Sequence, residues 1–161
     1  MSENKLKIYT ASQEDVPIIR DLILGLATYE KRPEAMTASP ADLNHWLFDR
    51  QLAQVLLAEY EGQPVGYALF YPSFSSFAGQ GKAHLEDLFI LEEYRNLGVG
   101  KALLKCLAHD LLEAGYQGLE WSALSWNQAA IDFYLRLGAD EDKERRYFEF
   151  GVDDLDRLSR L

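Results

Sequence analysis

The sequence predicts an α/β protein with a mixed, mostly antiparallel central sheet and helices on both faces. Three observations lead to this prediction. Two segments rich in Val, Leu and Tyr flank the short turn Glu61–Gln63, which indicates an antiparallel hairpin. A third strand-like segment follows the hairpin after an intervening loop. Two helical patterns, each followed by a glycine, then alternate with further strands.

The first part of the chain predicts one strand and two helices. Lys5–Thr10 has the pattern of a short strand. Ser12 then begins a helix, because Asp15 follows three residues later as in a capping box and apolar residues recur at helical spacing as far as Glu30. Ser39, with a proline after it, begins a second and shorter helix.

The rest of the chain predicts a sheet with helices inserted between its later strands. The Pro72–Gly81 segment contains Ser, Phe and Gly and is predicted to be an exposed loop. The predicted strands are Gln54–Tyr60, Pro64–Tyr71, Ala83–Leu91, Gly118–Leu124 and Arg146–Phe150. The predicted helices are Gly98–Ala114, Gln128–Leu137 and a final turn that carries Leu155 and Leu158. The element order is therefore β-α-α-β-β-β-α-β-α-β with a helical tail.

Length and charge limit the function classes. A chain of 161 residues, 48% of them hydrophobic, supports one core, so we expect a single domain over residues 1–161. The formal net charge of −10 argues against a nucleic-acid partner, because phosphate binding needs a basic face. The same charge favours a small cationic ligand, although an acidic surface is also a common solubility device.

The remaining composition argues against a metal site, a disulfide and a membrane span. The three histidines are scattered, and the single cysteine allows no intrachain disulfide. No apolar run approaches the roughly 18 residues of a membrane helix, and MSENKLKIYT lacks a signal core. We therefore expect a cytoplasmic protein without a metal.

A glycine-containing loop precedes the long predicted helix. The segment Arg95–Lys101 contains Gly98 and Gly100, which let the backbone approach a ligand closely. Free N–H groups and partial positive charge at a helix start favour a phosphate. The spacing fits neither a P-loop nor a dinucleotide fingerprint. The alternative is that both glycines only permit tight packing of helix against strand.

The Arg-x-x-Gly-x-Gly pattern after an apolar strand resembles the acetyl-coenzyme A signature of the GNAT acetyltransferases. Four blocks extend the resemblance over most of residues 5–150: LATYE at 26–30, HLEDLFI at 84–90, EYRNLGVG at 93–100 and SWNQAAIDFYLRLGA at 125–139. Their order is similar to that in the diamine (spermidine/spermine) and thialysine acetyltransferases. The last block is closer to the thialysine branch.

The resemblance implies a GNAT-like fold and acetyl-CoA as co-substrate. In that family the glycine loop holds the pyrophosphate, and the preceding strand pairs its backbone with the pantetheine arm. The residues implied in cofactor binding are Leu88, Phe89, Ile90, Arg95, Asn96, Leu97, Gly98, Val99, Gly100, Lys101, Asn127, Gln128, Ala129 and Ala130.

Two adjacent carboxylates lie in the third long strand. Regular alternation sends Glu86 and Asp87 to opposite faces, so one carboxylate lies among apolar neighbours. That placement is costly unless the strand is bulged or the site is functional. A carboxylate can hold an ammonium group and take its proton, which an amine of pKa about 10.4 must lose before it attacks a thioester. The alternative is a solvated acid pair on an edge strand.

By resemblance, Glu86 is the catalytic base and Asp87 a supporting carboxylate. Tyr134 is implied as the acid that protonates the departing thiolate, whereas without the family a tyrosine at this position is an ordinary core residue. The other residues implied at the amine site are Tyr29, Glu30 and Glu120.

The sequence departs from the polyamine enzymes in one place. They carry an Asp and a Trp before the third long strand, where this chain has Ser75 or Ser76 and Phe77. A second anchor for a cation is therefore missing, which puts long polyamines in doubt, and a shorter primary amine fits equally well.

We therefore expect transfer of acetyl from acetyl-CoA to a small primary amine, by direct attack in a ternary complex. The alternatives are a protein or peptide amine as acceptor, or a non-catalytic acyl-CoA sensor. The resemblance also implies a homodimer.

Overall fold

The computed structural model describes residues 4–161, which form two compact units, one ending at Ser122 and the other spanning Ala123–Leu161. The strands are β1 (Leu6–Thr10), β2 (Gln54–Tyr60), β3 (Gln63–Ser75), β4 (Gln80–Ile90) and β5 (Leu119–Glu120). The α-helices are α1 (Val16–Tyr29), α2 (Pro40–Asn44), α3 (Val99–Glu113), α4 (Gln128–Arg136) and α5 (Val152–Ser159).

The first unit contains the sheet, in the order β1-β2-β3-β4-β5. Strands β1 to β4 are antiparallel to their neighbours, whereas β5 is parallel to β4. The β2–β3 hairpin turns through Glu61 and Gly62, whose φ values of 48° and 84° match the right-handed twist of the two strands. The predicted hairpin and the mixed, mostly antiparallel sheet are both confirmed.

Helices cover both faces of this sheet, as predicted. Helix α3 packs one face with leucines spaced by four, Leu103, Leu107 and Leu111, all of which are buried. Helix α1 packs the other face with Ile19 and Leu22. We call these the α3 face and the α1 face. The buried strand residues on the α3 face are Leu56, Ala58, Val65, Ala68, Phe70, Ala83 and Leu85, and those on the α1 face are Val55, Leu57, Tyr67 and Phe89.

The local signals at the helix ends are confirmed. The Ser39 hydroxyl accepts a hydrogen bond from the Asp42 N–H at 3.0 Å and thereby caps α2. The Asp15 carboxylate accepts one from the Ser12 N–H at 2.8 Å, in the short turn that leads into α1. Gly115, with a φ of 83°, follows the end of α3, as expected of a helix terminator.

The predicted loop at Pro72–Gly81 is wrong. Strand β3 continues to Ser75 and β4 begins at Gln80, so only residues 76–79 form a turn. The β2–β3 ladder ends at Phe70, and Pro72 pairs with Ala83 of β4 alone. Proline is tolerated there because one side of the strand needs no N–H donor beyond this point.

The last two predicted strands are wrong in different degrees. The strand predicted over Gly118–Leu124 is only the two residues of β5. The segment predicted as Arg146–Phe150 has no regular secondary structure, so the final strand of the predicted order is missing. The second unit contains only the helices α4 and α5 as regular elements, and a strand needs a neighbouring strand for its backbone groups.

Candidate active site

Strand β4 carries a bulge at Glu86. In the β3–β4 ladder Leu69 pairs with Asp87 and the next residue, Phe70, pairs with Leu85, so Glu86 has no residue opposite it. The extra residue reverses the alternation of side chains along β4. Ala83 and Leu85 lie on the α3 face before the bulge, and Phe89 lies on the α1 face after it.

The bulge places both carboxylates on the α1 face. Asp87 accepts a hydrogen bond from the hydroxyl of Tyr67, and Glu86 accepts one from the hydroxyl of Tyr71. Both tyrosines belong to the cluster on the α1 face. Regular alternation predicts that Glu86 and Asp87 lie on opposite faces. That prediction is wrong, because the bulge at Glu86 interrupts the alternation along β4.

The Asp87 carboxylate is partly buried and bonded to a buried phenol. The Tyr67 hydroxyl donates to Asp87 Oδ2 at 2.9 Å, and the Tyr67 side chain has no exposed surface. Burial raises the pKa of Asp87 to about 6, the hydrogen bond from Tyr67 opposes this shift, and the charges of Glu86 and Glu30 add to it. Burial also raises the pKa of Tyr67, so the phenol stays a donor.

The Glu86 carboxylate is exposed and lies among polar groups. Its Oε2 accepts from Tyr71 Oη at 3.3 Å and lies 3.5 Å from Nε2 of His84. The His84 ring stacks on Tyr71 with 5.0 Å between ring centroids. Glu86 thus has access to solvent and is held by two aromatic side chains, as a base that works directly or through water requires.

Glu120 lies at the far end of this polar group. Its carboxylate accepts hydrogen bonds from Lys82 Nζ at 3.1 Å and from the Ser73 hydroxyl at 3.3 Å, and lies 4.0 Å from Nδ1 of His84. The bond from Lys82 is the main reason that the pKa of Glu120 is lowered. Glu120 is therefore already neutralised by a cation of this chain, and its role in amine binding stays a prediction.

A cleft opens on the α1 face beside Asp87. Its walls are the apolar side chains of α1 and the segment after it, and its charged residues are Glu30, Arg32 and Asp87. The apolar lining residues are Ile23, Leu26, Ala27, Ala35 and Met36. Arg32 Nη2 donates to Glu30 Oε2 at 3.1 Å. The cleft thus combines an apolar wall with two carboxylates and one guanidinium group.

Tyr29 connects this region to the glycine loop. Its ring lies 6.4 Å from that of Phe89 and 4.6 Å from the guanidinium carbon of Arg95, centroid distances typical of aromatic and cation–π contacts. Arg95 Nε also donates to the Ile90 carbonyl at 3.0 Å. These contacts hold the first residue of the loop against the end of β4.

The glycine loop leads directly into α3. Asn96 and Gly98 have positive φ values of 65° and 80°, and Gly98 is the N-cap of the helix. A Cβ at Gly98 would meet no atom within 4 Å, so the loop presents open space there. Helix geometry leaves the N–H groups of Val99, Gly100 and Lys101 without acceptors in the helix, which suits a phosphate group.

The end of β4 presents its backbone at an edge of the sheet. Strand β5 pairs with β4 at only two positions, Ala83 with Leu119 and His84 with Glu120. From Leu85 onward, β4 has no strand neighbour on that side in the part of the chain that the structure describes. The Leu88, Phe89 and Ile90 side chains pack into the two cores, so these residues offer mainly backbone groups to a ligand.

The second unit holds the remaining predicted site residues. Asn127 caps α4, since its Oδ1 accepts from the Ala130 N–H at 3.3 Å, and Gln128 Nε2 donates to Asp132 at 2.7 Å. Tyr134 lies in the second turn of α4, where burial raises its pKa and keeps its hydroxyl protonated at neutral pH.

Sequence reasoning missed four residues around the carboxylates: Arg32, Tyr67, Tyr71 and His84. The two tyrosines lie four positions apart in a strand and therefore on one face, which is a detectable signal. Their contact with Glu86 and Asp87 depends on the bulge, which has no such signal. Arg32 lies beyond the end of a helix, where periodicity gives no information.

Within 4–161, no group of three His, Cys, Asp or Glu side chains is arranged to hold a metal ion. No helix in the same range is both long and apolar enough to cross a membrane.

The sheet, the bulged acidic strand and the glycine loop at a helix start together define an acyltransferase architecture. Residues 18–139 match the acetyltransferase (GNAT) family. The chain therefore belongs to the GNAT family and is an N-acetyltransferase. GNAT enzymes use acetyl-CoA as co-substrate.

Two curated relatives are named for amino acids that carry a side-chain amine. The chain is 34% identical to the thialysine N-epsilon-acetyltransferase of Bos taurus, over 83% of this chain and 84% of that protein. It is 27% identical to an L-ornithine N5-acetyltransferase of Arabidopsis thaliana, over 96% and 88% of the two chains. It is also 32% identical to a human spermidine/spermine N(1)-acetyltransferase-like protein, over 86% of this chain but only 21% of that protein.

A solved structure confirms the fold. An integron cassette protein from the mobile metagenome of V. cholerae matches with a TM-score of 0.83 and 25% identity, over 99% of this chain and all of the other. The resemblance inferred from the four sequence blocks is thus confirmed at the level of the family and its fold.

Proposed function

We propose that this enzyme transfers acetyl from acetyl-CoA to a small primary amine, by direct attack of the amine within a ternary complex. The observation that carries the proposal is the bulge, which brings Glu86 and Asp87 to one face beside a cleft with apolar walls. The relatives are named for acetylation of ornithine, thialysine and spermidine/spermine, which supports an amine acceptor of this size.

The cofactor is held by the glycine loop and the exposed end of β4. N–H groups at the start of α3, with Arg95 and Lys101, bind the pyrophosphate, and Asn96 and Leu97 shape the loop. The backbone of Leu88–Ile90 pairs with the pantetheine arm. Asn127, Gln128, Ala129 and Ala130 at the start of α4 complete the cofactor contacts. Bound acetyl-CoA supplies the activated acetyl group.

The acceptor amine binds as an ammonium ion at the carboxylates and loses its proton there. Glu86 takes the proton directly or through a water molecule, since it is exposed and faces the same side as Asp87. Asp87 holds the ammonium charge, and Tyr29 and Glu30 line the site. Glu120, which is paired with Lys82, lines the far end of the same region.

Chemistry then requires one bond to form and one to break. The neutral amine attacks the thioester carbonyl carbon, the C–N bond forms and the C–S bond breaks. Tyr134 donates its phenolic proton to the departing thiolate. The nitrogen loses the extra proton that it carries after the attack to water, and Tyr134 regains a proton from water. Its raised pKa makes it a reluctant acid, so correct positioning must supply the advantage.

We further propose that the two units act as one GNAT domain and that the enzyme is a cytoplasmic homodimer. The family match spans residues of both units, which supports the first point. The segment after α4 supports the second, because Tyr147, Phe148 and Phe150 are 86%, 83% and 58% exposed and lack a strand partner within residues 4–161. Exposed aromatic residues grouped in this way are typical of a protein interface.

The test is release of free CoA thiol from acetyl-CoA against a panel of acceptors. The panel contains putrescine, spermidine, spermine, lysine, thialysine and a short peptide. Release with one or more small amines supports the proposal, and release with the peptide alone favours a protein acceptor. No release in spite of acetyl-CoA binding in calorimetry contradicts catalysis and favours a sensor.

Tyr134→Phe tests the proposed acid. We expect turnover to fall by about a hundredfold with acetyl-CoA affinity unchanged, because the variant lacks only the transferable proton. Tyr116→Phe is the matched control, since Tyr116 packs beside α3 and has no proposed role. Unchanged turnover in Tyr134→Phe would rule out the acid role.

A further inference from the structure

The segment after α1 holds an arginine over the proposed amine cleft. Lys31, two residues after the end of α1, has the left-handed conformation, with a φ of 62°. The Arg32 N–H then donates to the Ala27 carbonyl at 2.8 Å, and the Lys31 N–H donates to Thr28 at 3.0 Å. This is the hydrogen-bond pattern of a Schellman motif, with lysine at the position that glycine usually takes. The backbone of Arg32 is therefore anchored to the helix.

The Arg32 side chain is paired with Glu30. One N–H of the guanidinium donates to Glu30 Oε2 at 3.1 Å, and the two side chains are 60% and 23% exposed. A guanidinium carries five N–H donors, so this contact leaves donors for a further anion. Glu30 is the more buried partner, and its charge contributes to the raised pKa of Asp87. The lining of the cleft thus contains the Asp87 carboxylate and, separately, the ion pair of Glu30 and Arg32.

An ion pair beside an apolar wall is complementary to a zwitterion. A carboxylate ligand fits the guanidinium, and an ammonium group fits the glutamate. The alkyl part of such a ligand fits the apolar side chains of Ile23, Leu26 and Met36. A free diamine has a cation at both ends, so Arg32 repels whichever end approaches Glu30.

We propose that Glu30 and Arg32 bind the α-ammonium and α-carboxylate groups of the acceptor. The preferred acceptor class is then an α,ω-diamino acid, acetylated on its side-chain amine, and Arg32 is the residue that selects it over a free diamine. This inference rests on the proposed function, because it assumes that the ω-amine reacts at Glu86 and Asp87.

Matched pairs that differ only in the carboxylate test the selection. Lysine is compared with cadaverine, and ornithine with putrescine, by kcat/KM in the thiol-release assay. We expect the parent enzyme to favour each amino acid by about tenfold or more, the effect of one charge-assisted contact that is partly exposed. Arg32→Gln should reduce that preference by about tenfold, chiefly by raising KM for the amino acid, and Arg32→Lys should restore part of it.

The control variant is Arg157→Gln. Arg157 is also paired with an acid of its own segment, Asp154 at 2.8 Å, and its side chain is 71% exposed. This substitution should leave both preference ratios unchanged. A second readout without turnover is calorimetric binding of lysine and cadaverine to the enzyme with CoA, in which Arg32→Gln should weaken lysine alone.

Two different failures are distinguishable. If no small amine is acetylated, the proposed function fails and this inference falls with it. If amines are acetylated but the parent shows no preference for the carboxylate, or if Arg32→Gln leaves the preference intact, the role of Arg32 is refuted and the proposed function stands.

Discussion

The substitution Asp87→Asn should stabilise the folded protein at neutral and alkaline pH. The Asp87 carboxyl has a pKa of about 6 in the folded protein and about 3.8 when unfolded, mainly because folding buries it. An acid whose pKa is higher in the folded state holds its proton more tightly there. The contribution of Asp87 to stability is therefore greatest at low pH and falls as the pH rises from about 4 through 6.

The magnitude follows from the two pKa values. They differ by about two units, and each unit corresponds to about 1.4 kcal/mol, so ionisation of Asp87 costs up to about 3 kcal/mol. Asparagine does not titrate, and its side-chain oxygen still accepts the hydrogen bond from Tyr67. The stability of Asp87→Asn relative to the parent should thus increase between pH 4 and pH 8 by about 1 to 3 kcal/mol.

The assay is urea unfolding followed by tryptophan fluorescence at a series of pH values. Tyr67→Phe is the companion variant with the opposite expectation. It removes the buried donor and leaves the carboxylate unpaired, so it should lose about 1 to 3 kcal/mol at pH 8 and less at pH 4. A difference between Asp87→Asn and the parent that is independent of pH would refute the reasoning, as would a less stable Asp87→Asn at pH 8.

Two further predictions concern the cofactor loop and the oligomer. Gly98→Pro should weaken acetyl-CoA binding in calorimetry by about tenfold or more, since proline cannot adopt a φ of 80° and lacks the backbone N–H. Gly62→Pro, at a φ of 84° in a hairpin turn, is the control for backbone strain alone. Equal affinities in the two variants would contradict the loop assignment. Sedimentation should show that the parent is a dimer and that Phe148→Asp dissociates it. Phe77→Asp, which changes a fully exposed phenylalanine in another turn, should leave the dimer intact. A monomeric parent would contradict the homodimer.

Local sequence signals determined the helices and most of the strands. Ser39 predicts the start of α2 because its hydroxyl caps the first turn, and the leucines of α3 predict its buried face because they repeat every four residues. These features depend on residues within one or two turns of each other. The glycine loop before α3 was predictable for the same reason.

The last predicted strand shows where such reasoning ends. Residues 146–150 have strand-like composition, but a strand is stable only when another strand satisfies its backbone groups. Strand β4 pairs with β3, whereas residues 146–150 have no strand to pair with in the second unit. The composition of a segment indicates that it can form a strand, and pairing with a second strand decides whether it does.

The geometry of the candidate site was decided by tertiary structure. The sequence by itself determined that this chain carries an acid pair in a strand, a glycine loop and the blocks of an acetyltransferase. The register between β3 and β4 decided that Glu86 is bulged and that Glu86 and Asp87 share a face with Tyr67 and Tyr71. A bulge is a property of two paired strands, because it arises where their residues cease to match one to one, and neither strand encodes it alone.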